Sequence, residues 1–154
     1  MTSNPFPAEA AASAESTDAA RVAELMDRYL IALDDEKLDE AWARRLFTDD
    51  AVVAFPMSRH EGLAGLDAYH RTSIGAFART QHLGSPAVVT VEGERAAFRA
   101  NVLTTHVLHP GEDGAPLFRA GTLASGKARR TPAGWRISEL SFRVLFTEGQ
   151  PPGT

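Results

Sequence analysis

The chain of 154 residues contains no cysteine, which excludes disulfide bonds, thiol catalysis and cysteine-ligated zinc. It also lacks a strong excess of one charge, since 16 basic and 20 acidic residues give a formal net charge of −4. Nucleic acid and anionic membrane surfaces are therefore not expected as main partners. No apolar run approaches the ~18–20 residues that cross a bilayer, and no Lys or Arg precedes Arg21. We therefore expect no secretory signal, transit peptide or membrane span, and a cytoplasmic protein.

The composition, with 44% hydrophobic and 23% charged residues, is typical of a soluble globular domain. Residues 1–16 are rich in Ala, Ser and Pro without a sustained period, so we predict a disordered N-terminal tail. The ending GQPPGT predicts a second tail at 149–154. No repeat or linker divides the remainder, and the sequence predicts one domain over residues 17–148.

Three amphipathic segments predict helices in the first half of the chain. Thr17 is a candidate cap for a first helix that continues into the acidic run at 34–36. A second, short helix is predicted over 38–46 and a third at about 65–78, both from apolar residues at helical spacing. A short strand at 51–55, ended by Pro56, lies between them.

From His82 onward the sequence is typical of long β-strands. Val, Thr, Phe and Leu are frequent, and turn-forming residues at 92–94, 109–116 and 131–134 separate the extended segments. Helices followed by an antiparallel meander are an α+β pattern. Strands of roughly 10–15 residues exceed the usual ~5–6 and predict a twisted sheet curled into a cone around the helices. Such a cone is expected to leave a pocket for a small, apolar molecule.

His82, in the stretch ARTQHLGSP, lies where the first of these strands should begin. Because histidine titrates near neutral pH, it can act as a general base or acid, or it can simply satisfy a buried carbonyl. Asp34 is the candidate carboxylate to orient it. On an ideal helix Asp34 lies about 140° around from Tyr29, so Asp34 or Asp35 reaches the pocket only if the helix ends near Leu33. Otherwise the acidic run is a solvated helix end.

The strands carry further polar residues that could line the pocket. Strand alternation puts Thr104 and His106 on the more apolar face, and His109 on the opposite face, so HxxH predicts no zinc site. Arg143 could clamp an anion or a carbonyl in the pocket, or cover the outer face of the sheet, where the segment FRVLF could pack against another subunit. His60 and His70 are expected at the surface. The predicted pocket residues are His106, Thr104, Trp42, Phe55, Tyr69 and Arg143, although Tyr69 on the third helix is expected in the core. Tyr29 could equally be a core residue or a hydrogen-bond donor to the substrate.

Four stretches, in this order, resemble a known family: RYLIALDDEKLDEAWARRLFTDDAVVAF, HEGLAGLDAY, TQHLGSPAVVTVEGERAAFRANV and GWRI. Over about residues 20–148 the chain resembles the SnoaL-like branch of the nuclear-transport-factor-2-like superfamily. It is most similar to domains of the scytalone dehydratase and bile acid dehydratase type. The resemblance implies a cone-shaped α+β fold, the cystatin-like roll, with a deep pocket. It also implies a homodimer or homotrimer, and chemistry without metal or organic cofactor.

The resemblance also implies site residues. Tyr29 and Asp34 occupy the places of a tyrosine and an aspartate that these dehydratases use, and His82 that of their histidine. The second histidine of scytalone dehydratase has no counterpart in FRAGTLASG, and we infer that His106 could substitute for it.

Two main hypotheses about function follow. The first is a cofactor-independent acid–base enzyme, a dehydratase, isomerase or cyclase. It would act on a small, apolar, carbonyl-containing metabolite such as a polyketide or steroid-like compound. In it His82 moves the proton, Asp34 orients His82, and Tyr29 polarises the substrate oxygen. The second is a non-catalytic binding or scaffold domain of the same fold. A dioxygenase beta subunit, another member type of the superfamily, ranks last.

Overall fold

In a computed structural model, the backbone is described for residues 7–111 and 117–152, and the side chains for residues 14–111 and 117–152. The three helices in these ranges are α1 (Pro7–Asp35), α2 (Glu40–Leu46) and α3 (Leu66–Gly75). No helix there is both long and apolar enough to cross a membrane. The strands are β1 (Phe47–Phe55), β2 (Ser58–Glu61), β3 (Arg79–Gly84), β4 (Val88–Glu92), β5 (Arg95–Val107), β6 (Leu117–Thr131) and β7 (Gly134–Glu148).

The helix α1 differs most from its prediction. It begins at Pro7, so Thr17 lies inside the helix and the predicted cap there is wrong. Residues 7–16, predicted as a disordered tail, are helical, and the run of Ala and Glu in that stretch explains this by its high helix propensity. Residues 1–6 and 153–154 lie outside the described residues, and tails there stay predictions.

Within the described ranges, seven strands form one sheet in the order β2-β1-β7-β6-β5-β3, with β4 also paired to β5. The pairing of β1 with β7 is parallel, and the other pairs are antiparallel. On β5 every second residue from Ala96 to Thr104 is buried, so this alternation defines an inner face. Helix α1 contacts β3, β4, β5 and β7. The predicted α+β fold, with a curved mixed sheet and three helices, is confirmed.

A glycine sets how closely α1 approaches the edge of the sheet. A Cβ atom at Gly84 would lie 2.6 Å from Cδ1 of Leu30. Leu30 can therefore pack against β3 only because residue 84 is a glycine. One helical turn beyond Leu30, about 6 Å along α1, comes Asp34. Two residues before Gly84, about 6.6 Å along β3, comes His82. Because the distance from Leu30 to Asp34 along the helix nearly equals the distance from Gly84 to His82 along the strand, Asp34 lies opposite His82.

His70 is buried in the core, with no exposed surface, so its predicted surface position is wrong. Its Nδ1–H donates to the carbonyl of Leu66 one turn earlier in α3 (2.8 Å), and its Nε2 accepts from the Tyr29 hydroxyl (2.9 Å). The rings of Trp42 and Phe47 pack around it, with centroids 5.0 and 6.1 Å away. A histidine with both ring nitrogens satisfied in this way can be buried in its neutral form.

The outer face of the sheet carries exposed apolar side chains near the β3 edge and the end of β7. This outer-face patch consists of Leu83, Leu103, Leu145 and Phe146. The ring of Phe146 lies over Gly121, where a Cβ atom would come within 2.2 Å of it. Contiguous exposed apolar surface is typical of protein contacts, so a homodimer or homotrimer stays a prediction.

We expect Leu103→Glu to weaken such an oligomer, because it places a charge at the centre of the patch where desolvation would be costly. Light scattering across a concentration series measures the mass of both proteins. Arg99→Glu, also exposed on β5 but outside the patch, is the control. Identical masses for wild type and Leu103→Glu would show that the patch does not hold copies together.

The buried His70 predicts how stability depends on pH. Burial lowers the pKa of His70 to about 4, against an ordinary value of about 6.5. The unfolded chain therefore binds this proton more readily, and the free energy of unfolding should fall by up to about 3 kcal/mol as pH drops from 6.5 to 4. Urea unfolding at several pH values measures it. His106, whose pKa is also lowered, contributes in the same direction, so the difference between wild type and His70→Gln isolates His70. An equal pH dependence in the two proteins would contradict the prediction.

Candidate functional site

Asp34 and His82 form a hydrogen-bonded pair between the end of α1 and the middle of β3. The Nδ1–H of His82 donates to Oδ1 of Asp34 at 2.7 Å, and the backbone N–H of His82 donates to Oδ2 at 2.8 Å. The hydroxyl of Thr80 also donates to Oδ1, at 2.9 Å. The carboxylate thus accepts three hydrogen bonds from one strand and fixes the plane of the imidazole ring. Asp35, by contrast, is exposed, so Asp34 is the residue that faces inward.

The pairing determines which nitrogen of His82 is available for chemistry. An ionised carboxylate only accepts hydrogen bonds, so Nδ1 must carry the hydrogen, and Nε2 of the neutral ring then holds the lone pair. No residue in the described ranges hydrogen-bonds Nε2. The side chains of His82 and Asp34 are 10% and 18% exposed, so the pair is shielded and still accessible. This is the arrangement of an oriented general base.

Beside His82 on the inner face lie Thr104, its direct partner on β5, and His106 two residues further along. The rings of His106 and His82 are 6.5 Å apart between centroids. The Nδ1–H of His106 donates to the carbonyl of Phe118 (2.8 Å), and its ring lies between those of Phe77 and Phe118, at 4.2 and 5.2 Å. Burial above all, together with the nearby His82, lowers the pKa of His106. The structure therefore places both predicted residues, Thr104 and His106, beside the pair.

Tyr29 is not brought together with the pair, in contrast to its predicted role beside Asp34. Its ring is fully buried among Trp42, Phe47 and Phe142, and its hydroxyl donates to His70. Burial raises the pKa of this hydroxyl far above its ordinary value, so it stays protonated and donates. Five positions separate Tyr29 and Asp34 on α1, which turns them to different sides of the helix. Trp42, predicted in the pocket, is a neighbour of Tyr29 in this core.

The remaining predicted pocket residues lie elsewhere. Phe55 stacks on Tyr69 with ring centroids 4.9 Å apart, and the Tyr69 hydroxyl shares a hydrogen bond of 2.7 Å with Ser58. Arg143 is exposed and pairs across the sheet with Leu123, on the face opposite to Phe142. It therefore belongs to the outer face, the second of its two predicted locations, because strand alternation turns it away from the core.

Thr80, Phe77, Phe118 and Gly84 contribute to the site without having been predicted. Thr80 precedes His82 by two residues, and this period-two spacing was the available signal that both face the same side. The two phenylalanines reach His106 only through tertiary packing, which no local pattern encodes. Among the side chains of residues 14–111 and 117–152, no group of three or more His, Asp or Glu residues is arranged to hold a metal ion.

We expect Asp34→Asn to release the ring of His82, because an amide no longer requires Nδ1 to be the donor. Nitrogen-15 NMR of the imidazole should show the Nδ1–H tautomer in the wild type and a mixture of tautomers in the variant. The variant should also lose about 1–3 kcal/mol of stability, since hydrogen bonds to a charged acceptor are among the stronger ones. Asp35→Asn, next to it and exposed, should change neither quantity. An unaltered tautomer in Asp34→Asn would refute this account of the pair.

Comparison with known proteins places this geometry in a family context. The sequence of residues 14–141 matches the family model of the SnoaL-like domain. No curated protein has a matching sequence. A solved structure of the Kfla4162 protein from Kribbella flavida has 30% identity and a TM-score of 0.79, over 86% of this chain and 94% of that chain.

Two further solved structures have the same fold. An NTF2-like protein with a cystatin-like fold from Novosphingobium aromaticivorans is 25% identical, with a TM-score of 0.73 over 98% of this chain and 93% of that one. The hexachlorocyclohexane dehydrochlorinase LinA type 2 is 19% identical, with a TM-score of 0.70 over 95% and 97%, a likeness of fold alone. Since the domain match spans most of the chain and the NTF2-like protein shares its fold, the protein belongs to the SnoaL-like family of the nuclear-transport-factor-2-like superfamily.

Proposed function

We propose that this protein is a cofactor-independent acid–base enzyme whose base is His82 and whose substrate is a small, largely apolar molecule. The observation that carries the proposal is the Asp34–His82 pair, in which the carboxylate holds Nδ1–H and Nε2 has no hydrogen-bond partner in the described residues. A histidine that served only to satisfy a buried carbonyl would donate to that carbonyl, whereas Nδ1–H of His82 donates to a carboxylate. The fold shared with a dehydrochlorinase supports the same class of reaction, removal of a proton from carbon.

The proposed step begins with transfer of a proton from substrate carbon to Nε2 of His82. The imidazolium that forms is stabilised by the negative charge of Asp34 at 2.7 Å. In a dehydration, the C–H electrons form the double bond, the C–O bond breaks, and the departing oxygen takes the proton from His82. In an isomerisation, the proton returns to a different carbon. One histidine can serve as both base and acid in either case.

The site favours some of these reactions over others. Enolate chemistry needs a donor that stabilises charge on the carbonyl oxygen, and the hydroxyl predicted for that role, on Tyr29, donates to His70 instead. Arg143 lies on the outer face. Thr104, directly across from His82, has a hydroxyl that no described residue hydrogen-bonds, and it is a weak, neutral donor. We therefore favour an elimination, in which charge leaves with the departing group, over isomerisation or cyclisation through a stabilised enolate.

The second candidate is a binding domain without turnover. The feature that favours it is the absence, in the described part of this site, of a charged donor such as the one expected from Arg143. In that case the polar atoms at His82 and His106 would orient a ligand by hydrogen bonds alone.

The test is turnover of a panel of apolar β-hydroxy ketones, alicyclic alcohols and chlorinated cyclohexanes, followed by proton NMR in D₂O. Loss of water or chloride, or exchange of a C–H for deuterium, identifies the proton transfer. We expect His82→Gln to lower the rate by about 10²–10⁴-fold, the usual contribution of a positioned general base. The backbone N–H of residue 82 and the hydroxyl of Thr80 still donate to Asp34 in this variant, so the variant should fold.

His60→Gln is the matched control, since His60 hydrogen-bonds the carbonyl of Ala64 outside the site. Full turnover by His82→Gln would remove His82 from the mechanism. A panel compound that binds at His82 and neither reacts nor exchanges deuterium would favour the binding domain.

A further inference from the structure

A groove of about 790 Å³ lies away from the Asp34–His82 pair, where α1 and α2 meet the hairpin that joins β6 to β7. Its volume is within the range of about 300–1,000 Å³ that is usual for small-molecule sites. Neither member of the pair, nor Thr80, Thr104 or His106, lines it. We call it the arginine groove, after the five arginines among its lining residues: Arg21, Arg28, Arg45, Arg130 and Arg136.

The apolar part of the groove is formed by buried side chains. Leu25, Leu46, Trp42 and Trp135 line it, and each is less than one-tenth exposed. The Nε1–H of Trp135 donates to Asp18 at 3.1 Å. Nε1 of Trp42 is buried and has no acceptor within the described residues.

The charges of the groove are not balanced. Arg28 is hydrogen-bonded to Glu24, and Arg130 forms an ion pair with Asp18. Among the described residues, Arg136 donates only to the backbone carbonyls of Arg44 (3.0 Å) and Trp135 (2.9 Å).

The other two arginines are less engaged still. The carboxylate nearest to Arg45 is that of Glu36, at 3.9 Å, and Arg21 has no partner in the described residues. Three guanidinium groups, those of Arg21, Arg45 and Arg136, therefore lack a hydrogen-bonded carboxylate, although the chain as a whole is acidic.

We propose that the arginine groove is a second ligand site, one that binds a small organic anion with a flat, apolar body. Guanidinium groups recognise carboxylate and phosphate oxygens by paired hydrogen bonds. Indole and leucine side chains offer the apolar surface on which the body of such a ligand packs. The ligand would supply negative charge to a groove whose lining holds five arginines and three carboxylates, those of Asp18, Glu24 and Glu36.

The test is calorimetric titration at low salt, where exposed charges are least screened, with 2-naphthoate as the probe. We expect it to bind about tenfold more tightly than the neutral 2-naphthamide, because the two differ only in the charge that the arginines recognise. Arg21→Gln and Arg45→Gln should each lower the affinity for 2-naphthoate by about two- to fivefold. The double variant should lower it by about tenfold, as expected for exposed charge contacts.

Arg99→Gln, an exposed arginine on β5 outside the groove, should leave the affinity unchanged. His82→Gln should leave it unchanged as well, which separates this site from the proposed active site. Equal affinity for acid and amide, or an unchanged affinity in the double variant, would overturn the proposal. Inorganic phosphate that binds as tightly as 2-naphthoate would overturn the role of the apolar body.

NMR locates the probe independently. The chain has two tryptophans, and both line the groove, so 2-naphthoate should shift at least one indole N–H signal. Shifts confined to the ring of His82, with both indole signals in place, would put the probe in the other site and refute the proposal.

Discussion

The carboxylate of Asp34 is the contact on which the candidate site depends. It joins the last turn of α1 to β3 through three hydrogen bonds, two from His82 and one from Thr80. Helix and strand can come this close because Gly84 has no side chain to keep Leu30 away. The match between one turn of a helix and two residues of a strand then sets Asp34 opposite His82. The packing of Leu30 on Gly84 and the pairing of Asp34 with His82 are thus two consequences of a single docking of α1 on the sheet edge.

Local patterns in the sequence predicted the fold well. The helical spacing of apolar residues located the helices, and the alternation in ERAAFRANVLTTHV put Thr104 and His106 on the inner face, as found. Residues 7–16 were mispredicted because their composition fits both a tail and a helix. The parallel contact of β1 with β7 joins segments about ninety positions apart in the chain, and no local pattern specifies it.

The site was predicted less completely than the fold, because it too depends on contacts between residues that are far apart in the sequence. The geometry of Asp34 and His82 agrees with the expected pairing, whereas Tyr29 is turned into the core. On an ideal helix Tyr29 and Asp34 lie about 140° apart. The condition that the helix ends near Leu33 was wrong, because α1 continues to Asp35 and Asp34 still reaches His82, from a different side of the helix than Tyr29. His70 was misplaced because its partners, a carbonyl in its own helix and a hydroxyl 41 residues away, are not visible in composition.

Two of the three hydrogen bonds that Asp34 accepts come from the backbone of residue 82 and from the side chain of Thr80. Neither requires a histidine. The attachment of α1 to the sheet is therefore largely independent of the side chain at position 82. Under the proposed function, the proton-transferring side chain is therefore separable from the scaffold, because a change of residue 82 leaves two of the three bonds between α1 and β3 in place.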